Sequence, residues 1–366
     1  TGYLHFDRRP VESNRVILEM LAMQKHRGPD DSGIVGINTG NGSTEVMAPE
    51  TIQPFNISPN LVFGFNRLSI LDLSLNGHQP MTSPDGKVIM MMNGEVYSFP
   101  EQKEELISKG HIFKSNTDTE VVLHLYLEYG MEGMLNRLNG MFAIAVFDTR
   151  INRLLLARDR FGIKPLYILR QPGLIAFSSE MKSFKALPDF SFELDETRLD
   201  EFLLFRNVIN NTLFRNIVNC TPGTWWSISP EGDIQTRVFY DIGQEGYTAI
   251  ESGASCEILE KSLEQSVHSQ MISDVKLGCQ LSGGVDSSLV TYFAAGKLKK
   301  GQLETISILF NNPNYSEKRW VDEVAGQLEL QSHQYLMDSD NYFGSLDKAV
   351  WHFEQPLNHP NTIGIF

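Results

Sequence analysis

Runs of lysine and arginine are missing from this sequence, and 45 acidic residues against 31 basic ones give a formal net charge of −14. Without a basic stripe, neither a nucleic-acid backbone nor an anionic membrane surface is a suitable partner. The uniform acidity reads as a solubility feature. Cysteine is scarce: Cys220, Cys256 and Cys279 are widely spaced and odd in number. That argues against a disulfide framework, no CxxC or HExxH pair offers a metal site, and a reduced, cytoplasmic compartment fits. Long apolar runs are lacking too. The longest, 141–147, is far too short to span a bilayer. No signal-peptide pattern opens the chain, and no internal repeat is visible. A Walker A loop is also absent, because Val285-Asp286 rather than a lysine follows the Gly283-Gly284 pair.

What is present suffices for two domains with real cores: 366 residues, 41% of them hydrophobic. Short β-type segments recur at 32–37, 61–69, 88–93, 141–148, 153–158 and 174–178. Helical patterns interrupt them at 12–23, 100–109 and 118–129, the last with Thr117 as its cap. Many strands with few helices predict stacked antiparallel sheets with helices outside. A hairpin is expected at 225–229 and 235–240, turning at Pro230-Glu231-Gly232-Asp233. From Cys256 onward the pattern changes to helix, strand (275–281), loop, helix, strand (305–310), helix, strand (331–337), helix (342–353). Such alternation predicts a doubly wound parallel sheet with ligand at the strand C-termini. The boundaries are a first domain at 1–243, a linker at 244–254 and a second domain at 255–366.

Leu281-Ser282-Gly283-Gly284-Val285-Asp286-Ser287-Ser288 lies between a strand and a helix of that second domain. A glycine pair there lets backbone approach a ligand closely, and the loop with its helix N-terminus makes an anion site. The serines add hydroxyl donors, and Asp286 can hold Mg²⁺ or orient a nucleotide. In the first domain four polar clusters stand between strands. They are Arg67 in Asn66-Arg67-Leu68-Ser69-Ile70-Leu71-Asp72, Asn93-Gly94-Glu95, Asp118 in Asn116-Thr117-Asp118-Thr119-Glu120, and Arg158-Asp159-Arg160 with Lys164. Singly these read as a loop arginine, a turn, a helix cap and a surface charge run.

The 282–287 loop resembles the pyrophosphate loop of the ATP pyrophosphatases. The clusters of the first half resemble, in order, the N-terminal-nucleophile (class II) glutamine amidotransferase domain in its asparagine synthetase version. That family's HRGPDDSG matches His26-Arg27-Gly28-Pro29-Asp30-Asp31-Ser32-Gly33, and its QP matches Gln79-Pro80. The remaining motifs match at 67–73, 93–97, 118–120, 139–143 and 158–167. The resemblance implies an αββα sandwich followed by an ATP-pyrophosphatase sheet. It implies that Arg67 pairs with the α-carboxylate of glutamine through a bidentate fork and that Glu95 and Asp118 hold its α-amino group. Asn93 and the Gly94 N–H would form an oxyanion hole. ATP would lie on Gln280, Leu281, Ser282, Gly283, Gly284, Asp286, Ser287 and Ile308, with Mg²⁺ held at Asp286 through the nucleotide. Glu354 stands where the family carries an acidic residue.

The family's nucleophile is an N-terminal cysteine, expected three positions before Thr1; its later SGEG-x-DE loop and catalytic lysine are expected beyond Phe366. The activity implied is glutamine hydrolysis coupled to ATP-dependent amidation of aspartate, or of another carboxylate acceptor, giving AMP and pyrophosphate. Two alternatives stand beside it. One is a related adenylating ligase of the β-lactam synthetase or lasso-peptide cyclase type, although the retained glutamine residues speak against it. The other is a binding homologue without turnover. A homodimer stays open. His333, His352 and His359 match no metal-ligand spacing, and Cys279 reads as buried strand.

Overall fold

A computed structural model describes residues 1–246, 253–312 and 316–365. The chain divides into two compact units, Thr1–Glu245 and Gly246–Phe366. Most of the expected linker, 247–252, lies outside the described residues.

The first unit holds thirteen strands among its described residues. They are β1 (Gly2–His5), β2 (Asp31–Ile37), β3 (Thr44–Met47), β4 (Leu61–Arg67), β5 (Met81–Thr82), β6 (Val88–Val96), β7 (Gly140–Asp148), β8 (Arg153–Arg158), β9 (Tyr167–Gln171), β10 (Leu174–Ser178), β11 (Ile217–Asn219), β12 (Thr224–Ile228) and β13 (Ile234–Val238). Helices α1 (Arg15–Met23), α2 (Phe99–Ser108), α3 (Asp118–Arg137) and α4 (Leu199–Phe205) join them. One sheet runs β11-β9-β10-β1-β4-β2-β3 and the other β13-β12-β8-β7-β6-β5, antiparallel throughout.

Side-chain alternation makes these two sheets a sandwich, since residues two apart share a face. Leu4, Phe63 and Ile175 of one sheet meet Ile89, Phe147 and Leu156 of the other in the central core. Their neighbours point outward. Tyr3, Val62 and Ala176 pack with Ile17 and Met20 of α1 and with Phe184. Met90, Met92 and Ile144 pack with Val122 and Leu125 of α3 and Leu106 of α2. The result is the expected layering, helices–sheet–sheet–helices. Helix α3 runs eight residues past the expected end at 129 because Gly130 takes φ 68°, kinking the helix instead of ending it.

The second unit is smaller. Strands β14 (Gly278–Gln280), β15 (Glu304–Phe310) and β16 (Gln331–Met337) lie parallel in that order. Helices α5 (Ser255–Ser269), α6 (Val285–Lys297) and α7 (Lys318–Gln327) alternate with them, and α8 (Ser339–Gly344) and α9 (Leu346–Phe353) follow. The expected strand at 275–281 begins only at Gly278, because Ser273 turns the chain by bonding both N and O of Val275. The expected helix at 342–353 is likewise two helices, divided at Ser345. Thr305, Ser307 and Leu309 of β15 are buried, whereas Ile306 and Ile308 between them are 47% and 37% exposed. Among the described residues the strand order β14-β15-β16 follows the chain without reversal. Among the described residues no helix is long and apolar enough to cross a membrane.

Candidate active site

The glutamine residues inferred from sequence are brought to one place. A cavity of 370 Å³ is lined by Arg67, Asn93, Gly94, Glu95 and Asp118, together with His26, Arg27, Gln79, Thr117 and Lys164. Each sheet contributes. Arg67 ends β4, Asn93-Gly94-Glu95 lie near the end of β6, and Asp118 opens α3.

Arg67 is buried and tied down. Its Nη1 donates to Ser74 O (2.8 Å), and its Nη2 donates to Leu71 O (3.1 Å) and Asp72 O (2.6 Å). Gly77 lies against it: a Cβ there would stand 2.0 Å from Nη2. Three of the five guanidinium N–H groups are thus occupied. The two left, one on Nη1 and one on Nε, do not share an edge of the plane. The bidentate fork expected from the sequence is therefore not open in this arrangement, because both Nη2 hydrogens already meet carbonyls.

The backbone of β6 carries the next feature. Successive N–H groups along a strand point to opposite edges, so those of residues 92, 94 and 96 share one edge. Met92 N donates to Gln79 Oε1 (2.7 Å), and Val96 N donates to Asp118 Oδ2 (2.8 Å). The Gly94 N–H between them is directed at the cavity. Glycine is required there, since a Cβ would lie 2.1 Å from Met141 O of β7. The Asn93 amide flanks it and donates from Nδ2 to Ser179 Oγ (3.2 Å).

Two carboxyls close the other end. Burial, and then the charge of Asp118, push the Glu95 carboxyl well above its ordinary range, with Lys164 opposing. Burial also raises Asp118, against the backbone N–H of Val96 that holds its charged form. Two carboxyls facing one cavity, Asp118 buried and Glu95 half-buried, with a cation at the far side, suit a ligand carrying both an ammonium and a carboxylate. Burial and the nearby Arg27 charge hold Lys164 below the ordinary lysine value.

A second cavity of 70 Å³ adjoins the first; Arg27, Phe65, Asn66 and Asn93 line both. Thr1, at the head of β1, lines the small one with Ser178 and Ser179. None of the three cysteines lines either cavity. Cys220 is buried and its thiol is pushed up to about 11 by desolvation, which marks it as inert packing. His26, Arg27, Lys164 and Ser179 were not singled out from sequence as glutamine ligands, although the motifs around 26–33 and 158–167 pointed to the first three.

In the second unit the loop after β14 behaves as a turn of hydroxyls and glycine. Gly283 has φ 86° and packs so closely that a Cβ would stand 2.9 Å from Trp320 Cβ. Ser282 Oγ and Ser287 Oγ are 3.0 Å apart, and Ser288 Oγ donates to Gly284 O at 2.7 Å. Gly284 caps α6, whose first-turn N–H groups have no helical acceptor. Asp286 is exposed in that turn. Leu281 is buried with Leu309 and Val321, which fixes the strand end. Gln280 pairs with Ile306, and Ile308 lies two residues further along the same face. Glu354 has φ 59° and ends α9, its N–H donating to Val350 O at 2.9 Å; nothing in that capping role marks it as a ligand.

Residues 51–240 match the model of the glutamine amidotransferase domain, and residues 259–366 match the asparagine synthase model. The chain is 32% identical over 366 residues to asparagine synthetase [glutamine-hydrolyzing] 1 of Bacillus subtilis (strain 168), covering 99% of this chain and 54% of that protein. It is 35% identical over 331 residues to asparagine synthetase [glutamine-hydrolyzing] 2 of the same organism, covering 85% and 43%. The chain thus spans about half the length of the curated relatives it matches. A solved structure, the glutamine phosphoribosylpyrophosphate amidotransferase of B. subtilis with ADP and GMP, is similar at a TM-score of 0.49 and 15% identity, covering 91% of this chain and 64% of that one. With the amidotransferase model matching more than half of its residues, this chain belongs to the glutamine amidotransferase domain family, and the segment that follows is similar to asparagine synthase.

Proposed function

We propose that this protein is a glutamine-dependent asparagine synthetase whose first unit releases ammonia from glutamine. The carrying observation is the cavity that joins Arg67, Gly94, Glu95 and Asp118. In this reading Arg67 attracts the α-carboxylate of glutamine through one charged contact, and Glu95 and Asp118 receive its α-ammonium. The amide then lies over Asn93 and Gly94, whose Nδ2 and N–H would stabilise the oxyanion that forms as the amide is attacked.

The second unit would bind ATP. The 282–287 loop and the α6 N-terminus suit its phosphates. Asp286 fits Mg²⁺, an ion held by one or two carboxylates with phosphate oxygens and water; the metal would neutralise charge on the departing pyrophosphate. Gln280 and Ile308 would flank the adenine. Aspartate is the proposed acceptor, its side-chain carboxylate being adenylated and then amidated by the ammonia. The domain limits 1–243 and 255–366, with 244–254 between, belong to the same proposal, as does a cytoplasmic location.

Asp286→Asn is expected to abolish aspartate-dependent AMP formation while glutamate release from glutamine continues. Loss of both activities together would overturn this division of labour.

A further inference from the structure

The hydrolysis proposed above asks the Asn93 amide to present its nitrogen to the oxyanion, and something must hold the amide that way round. An asparagine χ2 is a broad, roughly two-fold torsion, so the amide takes its direction from its partners rather than from a rotamer well. Among the described residues the Asn93 side chain makes one hydrogen bond, from Nδ2 to Ser179 Oγ at 3.2 Å, and the Ser179 hydroxyl makes no other. The bond passes from one sheet to the other. Asn93 lies on β6, opposite Ala143 of β7, whereas Ser179 follows β10 of the sheet that carries Arg67. Both residues line the small cavity, and Asn93 continues into the large one beside Gly94.

Ser179 is itself firmly placed. Ser178 ends β10 opposite Tyr167 of β9 and is buried. Its Oγ donates to Gln24 Oε1 (3.1 Å) and accepts from Glu180 N (3.2 Å). Gln24, which caps α1, donates in turn from Nε2 to Met20 O (3.3 Å). One buried hydroxyl thus ties the residues on both sides of Ser179 to each other and to α1. We infer that Ser179 is a positioning residue of glutamine hydrolysis, turning the Asn93 amide so that its nitrogen, and not its oxygen, serves the oxyanion. An amide nitrogen has two N–H groups. Ser179 Oγ takes one, and the other is left to join the Gly94 N–H at the oxyanion. The reversed amide would set Oδ1 there, a partial negative charge against a developing one. Ser179 acts through Asn93 and does not touch substrate. The inference rests on the glutaminase reading above.

Ser179→Ala in the full-length protein deletes a single half-buried hydroxyl and should leave the fold intact, which circular dichroism checks. Its kcat for glutamate release should fall about 5- to 20-fold while the glutamine KM stays within about twofold. Ser179→Thr, which keeps a hydroxyl, should recover most of that loss. In an Asn93→Ala background, adding Ser179→Ala should change kcat by less than about twofold, because the amide through which the serine acts is gone. An unchanged kcat in Ser179→Ala would overturn the inference while leaving the glutaminase reading intact. So would a raised KM at unchanged kcat, which would make Ser179 part of substrate binding, and so would an undiminished loss in the Asn93→Ala background. Absence of glutamate release from the parent protein would overturn the glutaminase reading and this inference with it.

Discussion

At the scale of single residues the site depends on close approaches that no side chain could survive. Gly77 permits Arg67 to lie flat against the 71–74 carbonyls, with only 2.0 Å to a would-be Cβ. Gly77→Ala should displace the guanidinium and raise the glutamine KM about tenfold or more, with the fold preserved by circular dichroism. The two carboxyls make a prediction of opposite character. Both are raised in the folded protein by burial, and Glu95 also by Asp118. Protonated carboxyls do not hold an ammonium, so glutamine affinity should strengthen as pH rises from the ordinary carboxylate range, about 4, through the raised values. Folding stability contributed by the same pair runs the other way, because a raised pKa means the folded state binds protons more tightly than the unfolded chain. Stability should thus decline over the window in which affinity grows. Glutamine titrations followed by thermal shift at several pH values check both signs, and Asp118→Asn should flatten the affinity trend. Sequence showed Arg67, Asn93, Gly94, Glu95 and Asp118 as candidates, but not that the Arg67 donors are already engaged. That engagement depends on the carbonyl directions of residues 71, 72 and 74, which spacing does not encode.

Among the elements, α3 deserves its place by how it begins. Thr117 Oγ1 accepts from Glu120 N at 3.3 Å, and the buried Glu120 carboxylate accepts from Ser115 N (2.7 Å), Ser115 Oγ (2.7 Å) and Lys114 N (2.9 Å). This closed knot positions the preceding Asp118. Glu120→Gln should cost about 2 kcal/mol of stability, from weakened bonds to a charged acceptor, and should raise the glutamine KM with it. Chemical denaturation and steady-state kinetics on one preparation would check the pair. The helix and its cap were legible from the apolar spacing of Val121, Val122 and Leu125. Strands β3, β5, β9 and β11 were not legible. They are two to five residues long, three of them are edge strands and β9 lies beside an edge, so neither a hydrophobic period nor a dense apolar run announces them. Ser179 escaped for another reason. Its partner Asn93 lies 86 positions away in sequence and on the other sheet, and only the stacking of the two sheets brings them together.

For the molecule as a whole, the binding cavity samples both sheets of the sandwich at once. Arg67 is delivered by one sheet, Asn93 and Gly94 by the other, and between the sheets lies the layer that contains Phe63, Phe147 and Phe177. Phe63 stacks edge-on against Phe177 at 5.7 Å and lies four residues before Arg67 on β4. Phe63→Leu is expected to cost about 1–2 kcal/mol and to impair glutamine hydrolysis by more than that loss of folded fraction explains. Activity measured well below the unfolding temperature would separate the two effects. The sandwich can be regarded as a calliper whose jaws are the ends of β4 and β6 and whose gap is set by the thickness of its aromatic filling. Hydrostatic pressure thins such a filling before it unfolds the chain, so enzymatic turnover should report compression of the interior at pressures where spectroscopic probes of secondary structure still read native.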